Sequence, residues 1–195
     1  MTKFLAGCVA AAGIALASTA AQAVTVPTNA GPLATNTTLE IVFNSTGGAS
    51  SLSFDLLGYL SLDGDNFYTD LFTLTLNGTQ ILTGTYNLGG GGSSSTITNT
   101  EGLVLTGVNP GTGIGWNGGL INFAGTVNLL AGVNALVFAY DSPGAPFAGF
   151  QGTGDEAWGV DNLNVSAVPL PPAAILLASG LLGLAGLRRK NKAKA

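Results

Sequence analysis

The sequence predicts an all-β protein, an antiparallel β-sandwich or jelly roll flanked by an N-terminal signal-peptide helix and a C-terminal transmembrane helix. Between residues 24 and 167, apolar residues alternate with polar ones in short runs, and glycine, asparagine and serine separate those runs. No stretch of this segment shows helical periodicity of useful length. Seven or more short strands with frequent turns are typical of a sandwich.

The N-terminal segment, residues 1–23, has the features of a secretory signal peptide. Lys3 gives a positive start, an apolar run follows from residue 4 to about residue 17, and Ala21 and Ala23 are the small residues of a cleavage site. We expect cleavage after Ala23. Residues 5–8 also resemble a lipoprotein cleavage box ending at Cys8, although few apolar residues precede that cysteine.

The composition of the predicted domain, residues 24–167, excludes several kinds of catalytic site, metal site and binding partner. It has no Lys, Arg, His or Cys, and it carries ten Asp and Glu residues. A Ser-His-Asp triad, a His-based zinc site and a Schiff-base lysine therefore cannot form. Nucleic acid and anionic lipid are excluded as partners of the domain, because no side chain neutralises phosphate.

The alternation of apolar and polar residues predicts the strands, and the clearest two form a hairpin. Asn77-Gly78 separates two β-rich runs, residues 70–76 and 79–86, and supplies the positive φ angles of a tight turn. Leu39, Ile41 and Phe43 alternate with polar neighbours in one strand, and Leu52, Phe54 and Leu56 do so in another. Further strands are predicted at Ser95–Leu105, Leu120–Leu130, Ala135–Tyr140 and Trp158–Ser166.

Two glycine-rich segments are predicted to be loops. Residues 88–95 indicate a flexible connection, since neither a lysine nor a helix follows as a phosphate loop requires. Residues 107–119 contain Trp116, which we interpret as a buried anchor, with an exposed platform for stacking a sugar as the alternative.

The acidic residues suit a hard cation. Asp63, Asp65 and Asn66 lie in one glycine-bent loop, and Asp155, Glu156 and Asp161 form a second group beside the last strand. Oxygen ligands gathered from loops are what Ca²⁺ takes. A solvated acidic turn and a strand-end cap explain the two groups equally well. A glycosidase would need two carboxylates across a cleft, and no feature selects such a pair, so we expect no enzyme activity.

The C-terminal segment, residues 168–195, has three parts in order. A proline-rich motif, Val168-Pro169-Leu170-Pro171-Pro172, precedes an apolar run at residues 173–187 and a basic tail at residues 188–195, which begins with Arg188, Arg189 and Lys190. As a helix the run would span about 22 Å, short of a hydrocarbon core of about 30 Å. The basic tail would stop transfer and stay cytoplasmic.

This order of motif, helix and basic tail resembles the PEP-CTERM sorting signal of Gram-negative bacteria, in its VPLPA variant, with Pro172 in place of the usual alanine. The resemblance implies recognition by an exosortase and removal of the tail, in a bacterium that exports polysaccharide. Residues 154–165 also resemble a closing strand common upstream of that signal and in calcium-containing jelly rolls, with Ala157 in place of serine. That resemblance implies that Asp155, Glu156 and Asp161 either ligate an ion or organise a loop, with Trp158 packing beneath.

These features together predict an exported protein of the outer cell surface or extracellular matrix, anchored transiently in the inner membrane by its C-terminal helix. We expect a structural or adhesive module that contacts exopolysaccharide through aromatic and amide groups. The alternative is a carboxylate-based glycosidase acting on extracellular polysaccharide.

Overall fold

A computed structural model describes residues 23–25, 30–109, 118–143 and 152–168, with the backbone alone at residues 23–25 and 107–109. The described residues form eleven β-strands and no helix. The strands are β1 (Ala23–Thr25), β2 (Ala30–Ala34), β3 (Thr37–Gly58), β4 (Leu62–Asp63), β5 (Leu71–Leu76), β6 (Thr79–Thr85), β7 (Gly89–Gly91), β8 (Ser95–Asn99), β9 (Val104–Asn109), β10 (Gly119–Asp141) and β11 (Ala157–Ala167).

Two long strands, β3 and β10, organise the molecule. They pair antiparallel in one register, from Gly119 opposite Gly58 to Tyr140 opposite Thr37. Layer one holds the second half of β3 and the first half of β10, with β1, β2 and β11 on one side and β9 on the other. Layer two holds the remaining halves with β5, β6 and β8. The predicted all-β antiparallel sandwich is therefore confirmed.

The layers face each other because β10 bends back on itself. Phe123 and Phe138 lie fifteen residues apart on β10, about 50 Å along a straight strand. Both nevertheless pack on Phe54 of β3, with ring centroids 5.0 and 5.2 Å away. The bend contains Gly47 and Gly132, whose φ angles of 83° and 98° fall in the region that favours glycine.

Aromatic side chains fill the space between the layers. Phe72 of β5 lies 6.2 Å from Phe54 and 6.3 Å from Phe123, ring centre to ring centre. Tyr140 and Trp158 extend this cluster to one end of the sandwich, and both are fully buried. Burial of each large side chain contributes about 1.5 to 3 kcal/mol, so the cluster is the main source of stability.

Asn134 fixes the bend from inside. Its Oδ1 accepts hydrogen bonds from the Leu130 N–H and the Asn77 side-chain amide, each at 2.9 Å. Its Nδ2 donates to the carbonyls of Leu130 and Gly132, at 2.9 and 3.1 Å. The side chain is buried, and it satisfies backbone groups that the bend removes from the ladder.

The predicted hairpin is confirmed, with φ angles of 50° at Asn77 and 80° at Gly78. Other strand boundaries differ from the prediction. The two strands predicted around Phe43 and Phe54 are one bent strand, and so are those predicted at residues 120–130 and 135–140. Residues 95–105, predicted to be one strand, divide between β8 in layer two and β9 in layer one. Glycines allow the bends without ending the strands.

The terminal predictions lie largely outside the described residues. These include both terminal helices and, by residue, Ala21, Pro169, Leu170, Pro171, Arg188, Arg189 and Lys190. Trp116, in the glycine-rich loop predicted at residues 107–119, also lies outside the described residues. Ala23 is the first residue of β1, and the Val168 N–H donates to the Ala49 carbonyl at 3.0 Å. Within the part of the chain that the structure describes, no helix is long and apolar enough to cross a membrane.

Replacing Asn134 should destabilise the sandwich. Asn134→Ala removes four hydrogen bonds at the bend, and we expect the free energy of unfolding to fall by about 2 to 4 kcal/mol. Urea unfolding measures the change. The matched control is Asn128→Ala, an exposed asparagine of the same strand, which should change stability by less than about 0.5 kcal/mol. Equal effects of the two substitutions would contradict this role of Asn134.

Candidate metal centre

Three carboxylates converge at the end of the sandwich where Tyr140 and Trp158 lie. Asp63 ends β4, Asp70 precedes β5 and Glu156 precedes β11. One carboxylate oxygen from each lies within 4.8 Å of the other two. The three side chains are 7%, 0% and 6% exposed, so this acidic trio is removed from water. Burial of ionised groups without compensation is costly, which makes the trio the most unusual feature of the described chain.

Two hydrogen bonds close the loop between Asp63 and Asp70 and fix the positions of these two members of the trio. The Asp63 N–H donates to the Asp70 carboxylate at 2.8 Å, and the Asp70 N–H donates to the Asp63 carbonyl at 3.2 Å. Asn66 lies inside the loop and donates from Nδ2 to Asp63 Oδ1 at 2.6 Å. Its Oδ1 accepts from the Tyr68 N–H, also at 2.6 Å, so Asn66 shapes the loop.

The glycine-rich segment after β6 makes room for Asp63. It contains β7, which pairs in parallel with β4 and places Gly90 against the acidic trio. A Cβ atom on Gly90 would lie 2.6 Å from Asp63 Oδ2, closer than such contacts allow. Part of the segment predicted to be a flexible connection therefore forms β7, and glycine at position 90 lets its backbone pass close to the Ser61 carbonyl and the Asp63 carboxylate.

Ser142 joins Asp70 to Glu156. Its Oγ contacts Asp70 Oδ1 and lies 2.9 Å from Glu156 Oε2. A hydroxyl group has one proton to donate, so it cannot donate to two ionised carboxylates at once. One of the two carboxyl groups must therefore carry a proton, or a cation must replace that proton between the oxygens. Thr35 adds a long contact to Glu156, from Oγ1 to Oε2 at 3.5 Å.

The electrostatics agree with a shared proton. Burial raises the pKa of Asp70 to about 7; hydrogen bonds from the Asp63 N–H and Ser142 oppose this rise, and the charges of Glu156 and Asp63 add to it. Burial also raises the pKa of Asp63 and of Glu156, and the neighbouring charge of Asp155 raises both further. The trio therefore holds protons more tightly than exposed carboxylates do.

The structure separates the residues that the sequence grouped as metal ligands. Asp63 and Glu156 belong to the trio, and Asp155 lies beside it, accepting from Ser61 Oγ at 2.7 Å. Asp65 is exposed in the loop. Asp161 lies in register with Asp55 on β3, on the solvent side of layer one, away from the trio.

Asp70 was missed as a candidate ligand, although the alternation of inward- and outward-facing residues in and before β5 indicates its direction. Phe72, Leu74 and Leu76 face the core, and Asp70 shares their parity. Glu156 stands in the same relation to Trp158 and is likewise directed inward. An acidic residue two positions before an inward-facing run therefore points into the interior. Trp158 is buried and packs against Tyr140, with ring centroids 6.1 Å apart, and its Nε1 donates to the Ala34 carbonyl at 2.9 Å.

Comparisons with known proteins identify no family. No family model matches the chain, and no curated protein matches it. Among solved structures, dimeric latent PorU from Porphyromonas gingivalis aligns with a TM-score of 0.36 and 14% identity, over 68% of this chain and 10% of that one. A ruminal GH26 endo-beta-1,4-mannanase aligns with a TM-score of 0.28 and 13% identity, over 71% and 19%. At these scores neither similarity carries an argument.

Stability in the absence of divalent cations should fall as pH rises. The folded chain keeps a proton on Asp70 up to about pH 7, whereas the unfolded chain releases it near pH 4, so the stabilisation present below pH 4 is lost between pH 4 and 7. Each pKa unit corresponds to about 1.4 kcal/mol, which gives a loss of a few kcal/mol. Thermal unfolding in chelator at pH 4.5, 6 and 8 measures this loss.

Two variants test the assignment to Asp70. Asp70→Asn should flatten the pH dependence, because the amide cannot titrate, while Asp65→Asn, an exposed carboxylate of the same loop, should leave it unchanged. A melting temperature that rises with pH in the wild-type chain would contradict the assignment.

Proposed function

We propose that this chain is an exported bacterial protein of the cell surface or extracellular matrix, whose sandwich is a structural and adhesive module stabilised by Ca²⁺. The main support for a bound Ca²⁺ is one observation: three carboxylates converge in the interior of a domain that has no Lys, Arg or His. With no side-chain cation in the domain, a proton or a bound metal ion must neutralise this charge.

The donor set fits calcium. Ca²⁺ binds oxygen at about 2.3 to 2.6 Å, so two ligand atoms on opposite sides of one ion lie up to about 5 Å apart. The oxygens of the acidic trio fall within 4.8 Å of one another. Three carboxylates provide up to six oxygens, and Ser142 Oγ is in contact with two of these groups. Asp63, Asp70 and Glu156 would hold the ion, which would replace the shared proton.

The burial of the acidic trio supports a structural site over a glycosidase. A glycosidase presents two carboxylates to a sugar across an open cleft. Here the carboxylates are at most 7% exposed and are held by hydrogen bonds from Ser142, Asn66 and the Asp63 backbone. A polysaccharide cannot reach groups buried in this way, and the proposal therefore includes no enzyme activity.

The proposed destination of the protein rests on its sequence. Residues 1–23 supply the export signal, and residues 168–195 supply the sorting motif, apolar helix and basic tail. The tail would hold the protein in the inner membrane until an exosortase recognises it. The domain would then reach the cell surface or matrix, where its uncharged polar side chains are suited to contacts with exopolysaccharide.

Calcium should stabilise the folded chain at pH 8. At a concentration about 100 times its dissociation constant, the ion adds about 2.7 kcal/mol, which raises the melting temperature by about 5 to 10 °C for a domain of this size. Differential scanning calorimetry with Ca²⁺ and then with excess chelator measures the shift. The shift should shrink at pH 5, because protons compete for the same oxygens.

The variants Asp70→Asn and Asp65→Asn also test the calcium site. Asp70→Asn should lose most of the calcium shift, and Asp65→Asn should keep it. If chelator leaves the wild-type melting temperature unchanged at pH 8, the calcium site is ruled out.

Removal of the tail should redirect the protein. Deleting residues 169–195 keeps Val168, whose N–H bonds to Ala49, and removes the proposed signal. We expect the shortened protein to leave the envelope for the soluble exported fraction, measured by cell fractionation and immunoblotting. Asn191→Ala, within the basic tail, is the matched control and should be sorted normally. An unchanged location of the shortened protein would refute the sorting proposal.

A further inference from the structure

The solvent side of layer one carries a row of three polar side chains on adjacent strands. Asn122 of β10, Asp55 of β3 and Asn162 of β11 lie side by side. Asn122 Nδ2 donates to Asp55 Oδ1, and Asn162 Nδ2 donates to Asp55 Oδ2 at 2.7 Å. These two hydrogen bonds hold the three planar groups in fixed positions, and we name this set the amide row.

The amide row faces solvent because its neighbours in sequence face the core. Phe54 and Leu56 are buried on either side of Asp55, as are Ile121 and Phe123 around Asn122. In β11 the pairing with β3 shifts between Asp161 and Asn164, and Asn162 has a φ of 50°. This irregularity places an extra amide on the outer side of the strand, beside Asp55.

Hydrogen-bonding capacity remains at each member of the row. Among the described residues, no other hydrogen bond uses these two side-chain amides, so each has its carbonyl oxygen and a second N–H to offer, and two of the roughly four acceptor positions of the Asp55 carboxylate are used. Asn162 is exposed, and Asp55 and Asn122 are half-buried. Adjacent strands are about 4.8 Å apart, so the row spans about 10 Å, comparable to a disaccharide. Paired donors and acceptors at this spacing are suited to sugar hydroxyl groups.

An aromatic ring lies on the same side of layer one as the amide row. The Tyr59 side chain covers Gly159, which precedes Asp161 by two residues on β11. A Cβ on Gly159 would lie 3.0 Å from Tyr59 Cε2 and Oη, so glycine lets the ring lie close to the strand. Sugar rings stack on aromatic side chains through their C–H groups, and a ring beside fixed amides supplies both kinds of contact.

We propose that the amide row and Tyr59 form a binding site for a neutral polysaccharide. This inference rests on the proposed adhesive function and identifies the surface that would bind the polysaccharide. Asp55 and Asp161 lie on this side of the sheet, and the domain has no cation to offset them, so an acidic polymer would be repelled. A second copy docked through the same face would bring like charges together. Uncharged hydroxyl groups, in contrast, donate well to carboxylates.

Isothermal titration of the full-length protein tests the site. The probes are neutral hexasaccharides of glucose, mannose and galactose in α and β linkage, and hexagalacturonate is the anionic comparison. We expect at least one neutral probe to bind, and hexagalacturonate to bind at least tenfold more weakly. Binding to no neutral probe, or stronger binding to hexagalacturonate, would overturn the proposal.

Variants locate the binding. The double variant Asn122→Ala with Asn162→Gly removes both amides and keeps the positive φ at position 162, and it should weaken binding at least tenfold. Tyr59→Ala should weaken binding, and Tyr59→Phe should preserve it, because stacking needs the ring. Asn44→Ala, an exposed asparagine of layer two, is the matched control and should bind like the wild type. Unchanged binding by the double variant would refute the site.

Two further measurements keep the outcomes distinct. Melting temperatures of all variants should stay within about 3 °C of the wild type, and the double variant at Asn122 and Asn162 carries the test if Tyr59→Ala unfolds. Sedimentation that shows concentration-dependent dimers in the wild type but not in the double variant would assign the row to self-association and overturn the proposal. The calcium site is measured separately by chelator, so either proposal can fail while the other stands.

Discussion

The continuous pairing of β3 with β10 is the constraint on which the rest of the structure depends. Because both strands bend, one ladder supplies the centre of each layer. β11 then adds to β3 in layer one, and β5 adds to β10 in layer two. Glu156 precedes the first of these added strands and Asp70 precedes the second, while Ser142 follows β10 and contacts both carboxylates. The acidic trio forms where the two layers meet, out of residues far apart in sequence.

Residues 24–167 contain no cationic side chain, so no lysine or arginine of the domain can neutralise the acidic trio. In most proteins a buried carboxylate pairs with a lysine or arginine, and here no such partner exists in the domain. A proton and a bound metal ion are the two remaining ways to neutralise the charge, and they compete for the same oxygens. The raised pKa of Asp70 and the proposed calcium site therefore have the same cause, which is the burial of carboxylates in a domain without cationic side chains.

Local patterns predicted the parts of the fold that neighbouring residues determine. The Asn77-Gly78 hairpin and the alternation around Phe54 depend on contacts within a few residues, and both were predicted correctly. The continuity of β3 and β10 through their bends was not predicted, since glycine is also common in the turns that end strands. Asp70 was missed because Ser142 and Glu156, the partners that lie outside its own loop, are distant in sequence: Ser142 is 72 residues away. The parity of Asp70 with Phe72 was the available local signal.

β11 shows why residue type alone could not assign the acidic residues. Glu156, just before the strand, shares the inward parity of Trp158 and joins the trio, whereas Asp161 lies on the outer side, opposite Asp55. The irregular pairing after Asp161 then brings Asn162 to the amide row. One strand thus begins at the candidate ion site and carries a member of the proposed sugar site five to six residues later. An ion that fixes Glu156 also fixes the start of the strand that presents Asn162, and this links the stability of the module to the surface that we propose for adhesion.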